Sequence, residues 1–263
     1  MKHVLAALVV VSALAACATT TSSTGRTQYV GAVSEQQLQQ LGAQAFTEAR
    51  QKGPLSTDAR HNAYVRCVVD ALVRQLPANQ RGLAWESAVF AQDEPNAFAL
   101  PGGKVGINTG LFGVARNQDQ LAAVVAHEIG HVVERHHDER ITRQMGAAGA
   151  VQLLGALAGD YGQLAAQGGS VLAQTGFLLP GSRVQESEAD VVGQRLMAQA
   201  GFDPRAAVEL WRNMIAAGGN RPPQWLSTHP DPQSRIAELQ SRADQLVPTW
   251  EQARAAGRRP ACG

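Results

Sequence analysis

His127-Glu128-Ile129-Gly130-His131 spells H-E-x-x-H inside a run with helical periodicity, and this feature constrains the fold of the 263-residue chain more than any other. Residues four apart share a helix face, so His127 and His131 aim their imidazoles at one point. Leu121, Val124, Val125, Ile129, Val132 and Val133 supply a broad apolar stripe, and Asn117 with Gln120 supplies an N-terminal cap. The pattern predicts a buried helix over 118–140 that carries a metal site. His136 and His137, just beyond, are expected where that helix emerges into solvent, away from the metal.

The residue types assign roles. Glu128 projects beside the two histidines, placed to hydrogen-bond a water in an open coordination position, which makes it the expected general base. A catalytic zinc site needs a third protein ligand and leaves the fourth position open. Glu186 is the expected third ligand, at the start of a second amphipathic helix in Glu186-Ser187-Glu188-Ala189-Asp190. Asp190, four residues on, shares its face and is expected to accept the free ring N–H of a ligand histidine. Glu188 points elsewhere by helical phase. A structural or storage site would close all four positions with Cys or His, so this donor set argues against one. One Zn2+ per chain is expected.

The ordered series of motifs resembles the zinc metallopeptidases that include the CAAX prenyl proteases and the heat-shock membrane protease HtpX, with periplasmic lipoprotein relatives. It comprises Pro95-Asn96-Ala97-Phe98-Ala99-Leu100-Pro101-Gly102-Gly103, Asn108-Thr109-Gly110-Leu111, the H-E-x-x-H helix and residues 183–190. Gly201-Phe202-Asp203-Pro204, Thr228-His229-Pro230 and Arg235-Ile236 complete it, so that the likeness covers residues 36–246. The resemblance implies a gluzincin-like domain with His127, His131 and Glu186 as ligands and Glu128 as base, in agreement with the spacing. It further implies a place for His229 near the cleft, as an oxyanion stabiliser or as a fourth zinc ligand in a resting state, with Arg235 reaching the same cleft. Read from the residues alone, His229 lies equally in a loop approaching a helix capped by Asp231 and begun by Pro232.

The N-terminus reads as an address. A short positive start, an apolar run to Ala16 and Leu14-Ala15-Ala16-Cys17 resemble a bacterial lipoprotein signal peptide over 1–16. Cys17 becomes the lipidated first residue, and Ala18 after it favours the outer membrane by resemblance to other lipoproteins. Residues 17–34, rich in Thr and Ser, are expected to form a flexible tether, 35–250 the peptidase domain and 251–263 a tail. Export makes a disulfide between Cys67 and Cys262 the favoured expectation over a buried Cys67 packed beside Tyr64, Val68 and Ala71. A net charge of +1 gives no basic footprint for nucleic acid.

The fold class expected is α+β, mainly helical, with a small sheet beside the active-site helix. Helices are predicted over 35–52, 56–76, 118–140, 183–200, 204–217 and 232–247, and strands over 85–91, 96–100 and 104–108. The edge strand carrying Asn96, Ala97, Phe98 and Ala99 is the expected place for an extended peptide to add. Residues 145–182, dominated by Gly, Ala, Leu and Gln, read either as weak helices forming a lid or as a helical hairpin in the core. The function expected is a zinc endopeptidase at the periplasmic face of the outer membrane, cleaving misfolded or unassembled envelope proteins. A latent or silent chaperone that holds such clients in the same cleft is the alternative.

Overall fold

A computed structural model describes residues 18–146, 181–217, 224–229 and 232–263. The signal-peptide and lipidation expectations, Cys17 included, lie outside the described residues, as do residues 147–180 of the stretch read as a lid. In chain order the elements are β1 (Ala18–Thr21), β2 (Thr27–Val30), α1 (Glu35–Lys52), α2 (Ala59–Val73), α3 (Ala78–Arg81), β3 (Glu86–Phe90), β4 (Ala97–Leu100), β5 (Lys104–Asn108) and α4 (Gln118–Val133). A helix α5 follows over 136–146, then α6 (Arg183–Ala200), α7 (Ala206–Ala217), α8 (Gln224–Thr228) and α9 (Pro232–Ala255). The fold is α+β and mainly helical, as expected. No helix among the described residues is long and apolar enough to cross a membrane.

The caps explain where the principal helices start. Ser34 and Gln37 close a capping box on α1, Ser182 and Gln185 close another on α6, and the Asn117 side chain accepts from Gln120 N at the start of α4. The three-stranded sheet has the order β3-β5-β4, with β3 parallel and β4 antiparallel to β5. Gly102 and Gly103 both stand at φ +79° in the turn between β4 and β5, a conformation that side chains rarely tolerate. Along the strands the faces alternate. Val89, Ala97, Ala99, Val105 and Ile107 join the main core with α2 and α4, while Ala88, Phe90 and Leu100 pack with Leu38 and Phe46 of α1.

Helix α4 lies at the centre, packed against β4, α2, α6 and α7, and every residue from Gln120 to His131 is buried. Its closest neighbour is α6, and two glycines set the approach. A Cβ on Gly130 would stand 2.9 Å from Ala189 O, and one on Gly193 would stand 2.9 Å from His127 N. Only residues without a side chain allow two helix backbones this near, and that nearness carries the start of α6 onto the histidine face of α4.

Several expectations need correction. The helix predicted to run to residue 140 ends at Val133, because the chain turns through Glu134 and Arg135, the latter at φ +53°. The turn swings 136–139 inward, so His136, His137, Asp138 and Glu139 are buried rather than solvent-facing. Within the stretch expected to be a tether, β1 and β2 pair as an antiparallel hairpin, since its hydroxyls and Arg26 find buried carboxylates to bond. Helix α9 continues through Pro248 to Ala255, where Trp250 anchors it by donating to Gly201 O at 3.0 Å. The tail beyond is docked: Cys262 forms a disulfide with Cys67, with Cα atoms 5.4 Å apart, and Cys262 N donates to Gln118 Oε1 at 2.9 Å.

Candidate metal centre

Three elements converge on one buried point. Helix α4 supplies His127, Glu128 and His131, the first turn of α6 supplies Glu186, and His229 follows α8. Nε2 of His127 and Nε2 of His131 are 3.2 Å apart, and His127 Nε2 is also 3.2 Å from His229 Nδ1. The carboxylate of Glu186 lies 3.4 Å from His127 Nε2, 3.6 Å from His131 Nε2 and 2.8 Å from His229 Nδ1. One donor atom from each of the four residues falls within 4.8 Å of all the others, and all four residues are buried.

These separations fit zinc. Tetrahedral zinc with ligands at about 2.0–2.1 Å has ligand-to-ligand edges of about 3.3–3.4 Å. Glu186 Oε1 is also buried without a hydrogen-bond partner, although a carboxylate oxygen in that state is costly unless a cation answers it.

The surrounding shell explains how the clustered side chains are aimed. His127 Nδ1 lies 2.9 Å from Asp190 Oδ1. Asp190 in turn accepts from Arg235 Nε at 2.7 Å and Nη2 at 2.8 Å, and Arg235 Nη1 donates to Glu186 Oε2 at 3.0 Å. The Arg235 guanidinium rests on the Trp211 ring at 4.0 Å. On the other histidine, His131 Nδ1 lies 2.8 Å from His136 Nδ1.

Glu128 sits between two donors. Trp225 Nε1 donates to its Oε1 at 2.9 Å, and His229 Nε2 lies 3.2 Å from the same oxygen. Burial would raise Glu128, but the facing His229 and the Trp225 bond hold it below the usual carboxylate range. Glu186 is held well below that range in the same way, against burial, by His229 and His131. Burial drives His131 well below the usual imidazole value and keeps it neutral. Burial would also lower His229, but the facing Glu186 and Glu128 carboxylates lift it to about 9.

The structure thus brings together His127, Glu128, His131, Glu186, Asp190, His229 and Arg235, all singled out in the sequence. Ala97 and Ala99 on β4 are buried in the adjacent sheet rather than in the cluster. Sequence reasoning missed Trp225, His136 and Arg26. Trp225 carries no local signal, since its bond to Glu128 spans 97 positions. His136 was visible only as a fifth-position histidine after His131, and a straight helix would have turned it away.

A buried pair of helical histidines with a carboxylate between them and a second carboxylate alongside defines the zinc metallopeptidase class. Residues 59–243 match the model of Peptidase family M48, whose metal is zinc, and the chain belongs to that family. It is 42% identical over 160 residues to mitochondrial metalloendopeptidase OMA1 of Schizosaccharomyces pombe, covering 60% of this chain and 46% of the relative. It is 32% identical over 237 residues to the beta-barrel assembly-enhancing protease of Escherichia coli strain K12, covering 86% of this chain and 47% of the relative. OMA1 of Saccharomyces cerevisiae is 33% identical over 180 residues, covering 65% and 50%. The chain spans about half the length of these curated relatives.

Proposed function

We propose that this chain is a zinc endopeptidase. The observation that carries the reading is the buried tetrad of His127, His131, Glu186 and His229 with Glu128 at its edge. His127, His131 and Glu186 would hold the metal, and Asp190, fixed by Arg235, orients His127. When bound, zinc supplies Lewis acidity toward water and toward the scissile carbonyl. Glu128, kept anionic, takes the proton of the attacking water and later delivers it to the leaving amine nitrogen. Trp225 holds the Glu128 carboxylate in place through its indole N–H.

His229 closes the fourth corner of the tetrad and bonds the base, so this arrangement is a resting one. That position supports a latent enzyme, in which His229 must leave before a peptide enters. Strand β4 ends the described sheet on one side, beside α4. We take its Asn96–Ala99 region as the place where a substrate backbone adds as a strand, held by main-chain hydrogen bonds.

The lipoprotein-like start supports an outer-membrane anchor through Cys17, with the catalytic domain facing the periplasm. A relative named as a beta-barrel assembly-enhancing protease supports misfolded or unassembled envelope proteins as substrates. The test is casein cleavage by the purified full chain with metal content measured in parallel. Zinc in wild type and Glu128→Gln, with cleavage by wild type alone, is the expected result. Cleavage retained by Glu128→Gln would remove Glu128 from its role. Zinc in both with cleavage in neither would favour the client-holding alternative.

A further inference from the structure

His136 stands outside the metal tetrad, fully buried, in a chain of contacts that leads from a zinc-ligand histidine to the N-terminal hairpin. Its Nδ1 lies 2.8 Å from His131 Nδ1, and its Nε2 lies 3.1 Å from Glu188 Oε2. Glu188 is the carboxylate that helical phase turns away from the metal, and the hairpin surrounds it. Ser22 Oγ and Thr24 Oγ1 each donate to Glu188 Oε1 at 2.6 Å, and Arg26 donates to Oε2 from Nε at 2.9 Å and from Nη2 at 2.7 Å. Arg26 also forks onto Glu139 at 2.8 and 2.9 Å. Ser23 N and Gln28 Nε2 add bonds to the Glu134 carboxylate and carbonyl.

Proton bookkeeping gives this chain one direction. A neutral imidazole that ligates through Nε2 carries its proton on Nδ1. His131 Nδ1–H must then donate to His136 Nδ1, which leaves the His136 proton on Nε2, aimed at the Glu188 carboxylate. The reverse assignment puts the His131 proton on Nε2, facing the metal position, and sets a bare His136 nitrogen against an anion. Only the first assignment gives every donor an acceptor.

We propose that His136 is a positioning residue for His131, and that the hairpin β1–β2, through its grip on Glu188, is the clamp that sets this relay. Aligning a ligand histidine through a second imidazole to a carboxylate does for His131 what Asp190 does for His127. The segment that immediately follows Cys17 is in this way part of the zinc site. The inference rests on the reading of His131 as a zinc ligand.

The test uses the full chain and measures zinc affinity by chelator competition, the visible spectrum of the cobalt-substituted protein, and unfolding of the metal-free form. His136→Phe removes both bonds, and zinc affinity is expected to fall about 10- to 100-fold with a changed cobalt spectrum. His136→Gln, which keeps one acceptor and one donor, recovers part of the loss. Arg26→Gln loosens the clamp and gives a smaller loss, whereas Arg50→Gln, which breaks an exposed pair with Glu86, gives none. Affinity and spectrum of wild type in both His136→Phe and Arg26→Gln overturn the proposal. If His136→Phe does not fold, Arg26→Gln decides alone, and unchanged affinity there overturns it. Wild-type protein that binds no zinc overturns the metal reading beneath it instead.

Discussion

Gly193→Ala adds one methyl group at the contact between α4 and α6, and two opposing effects decide its outcome. Alanine is better than glycine in a helix by about 1 kcal/mol. The new Cβ, however, would stand 2.9 Å from His127 N and 3.1 Å from Ala126 C and O, all backbone atoms that cannot swing aside. Unstrained carbon contacts begin at about 3.5 Å, so the helices must part by roughly 0.5 Å, and overpacking of this kind costs about 1–3 kcal/mol. The clash outweighs the propensity gain, leaving about 1 kcal/mol of net destabilisation and a melting temperature lower by about 2–4 °C for a chain of this size. The same parting carries Asp190 and Glu186 away from His127, which they approach at 2.9 and 3.4 Å. Zinc affinity should fall about 10-fold or more, the usual consequence of losing an orienting carboxylate. Thermal unfolding of the metal-free protein and chelator competition measure the two effects separately. Gly113→Ala, where a Cβ meets nothing within 4 Å, serves as the control. A Gly193→Ala protein that melts higher than wild type and binds zinc equally well would refute the reasoning, because the helix contact would then have slack.

Asp190→Asn keeps the shape but not the charge that faces His127 and Arg235, and zinc affinity measured by competition should drop about 10- to 100-fold; no change would show that Arg235 alone orients the site. His229→Ala should retain stoichiometric zinc while casein turnover rises, since the capping imidazole is gone; a protein stripped of metal would contradict the resting-state role. The disulfide closes a separation of 195 residues, so the double change of Cys67 and Cys262 to serine should cost about 2–5 kcal/mol, and an unaltered melting temperature would rule that out. Peptide substrates N-methylated beside the scissile bond should bind weakly if β4 accepts them as a strand, and equal cleavage of methylated and plain peptides would dismiss strand addition.

Much of the local architecture was legible before any tertiary contact was known. Helix α1, helix α6 and strand β5 begin and end where caps, periodicity and turn residues place them, because those signals act within about four residues along the chain. The same short range put His127 beside His131 and Glu186 beside Asp190. It also allowed a third carboxylate, Glu188, to be set on a different face.

The tertiary structure decided what joins these pieces. No local signal marks Gly130 and Gly193 as special, and only packing turns them into the close approach that brings Glu186 to the histidines. The turn at Arg135 had no glycine or proline to announce it, so His136 was expected in water and is instead buried against His131. The Ser- and Thr-rich hairpin has the composition of a tether. Its order comes from carboxylates more than 100 positions away, on Glu134, Glu139 and Glu188. Trp225 and His229 likewise reach Glu128 across about 100 positions. Sequence alone therefore determined the chemistry of each helix face, since period and capping are local physics. Which faces meet, and which buried charges answer one another, depends on contacts distant in the chain that no local signal records.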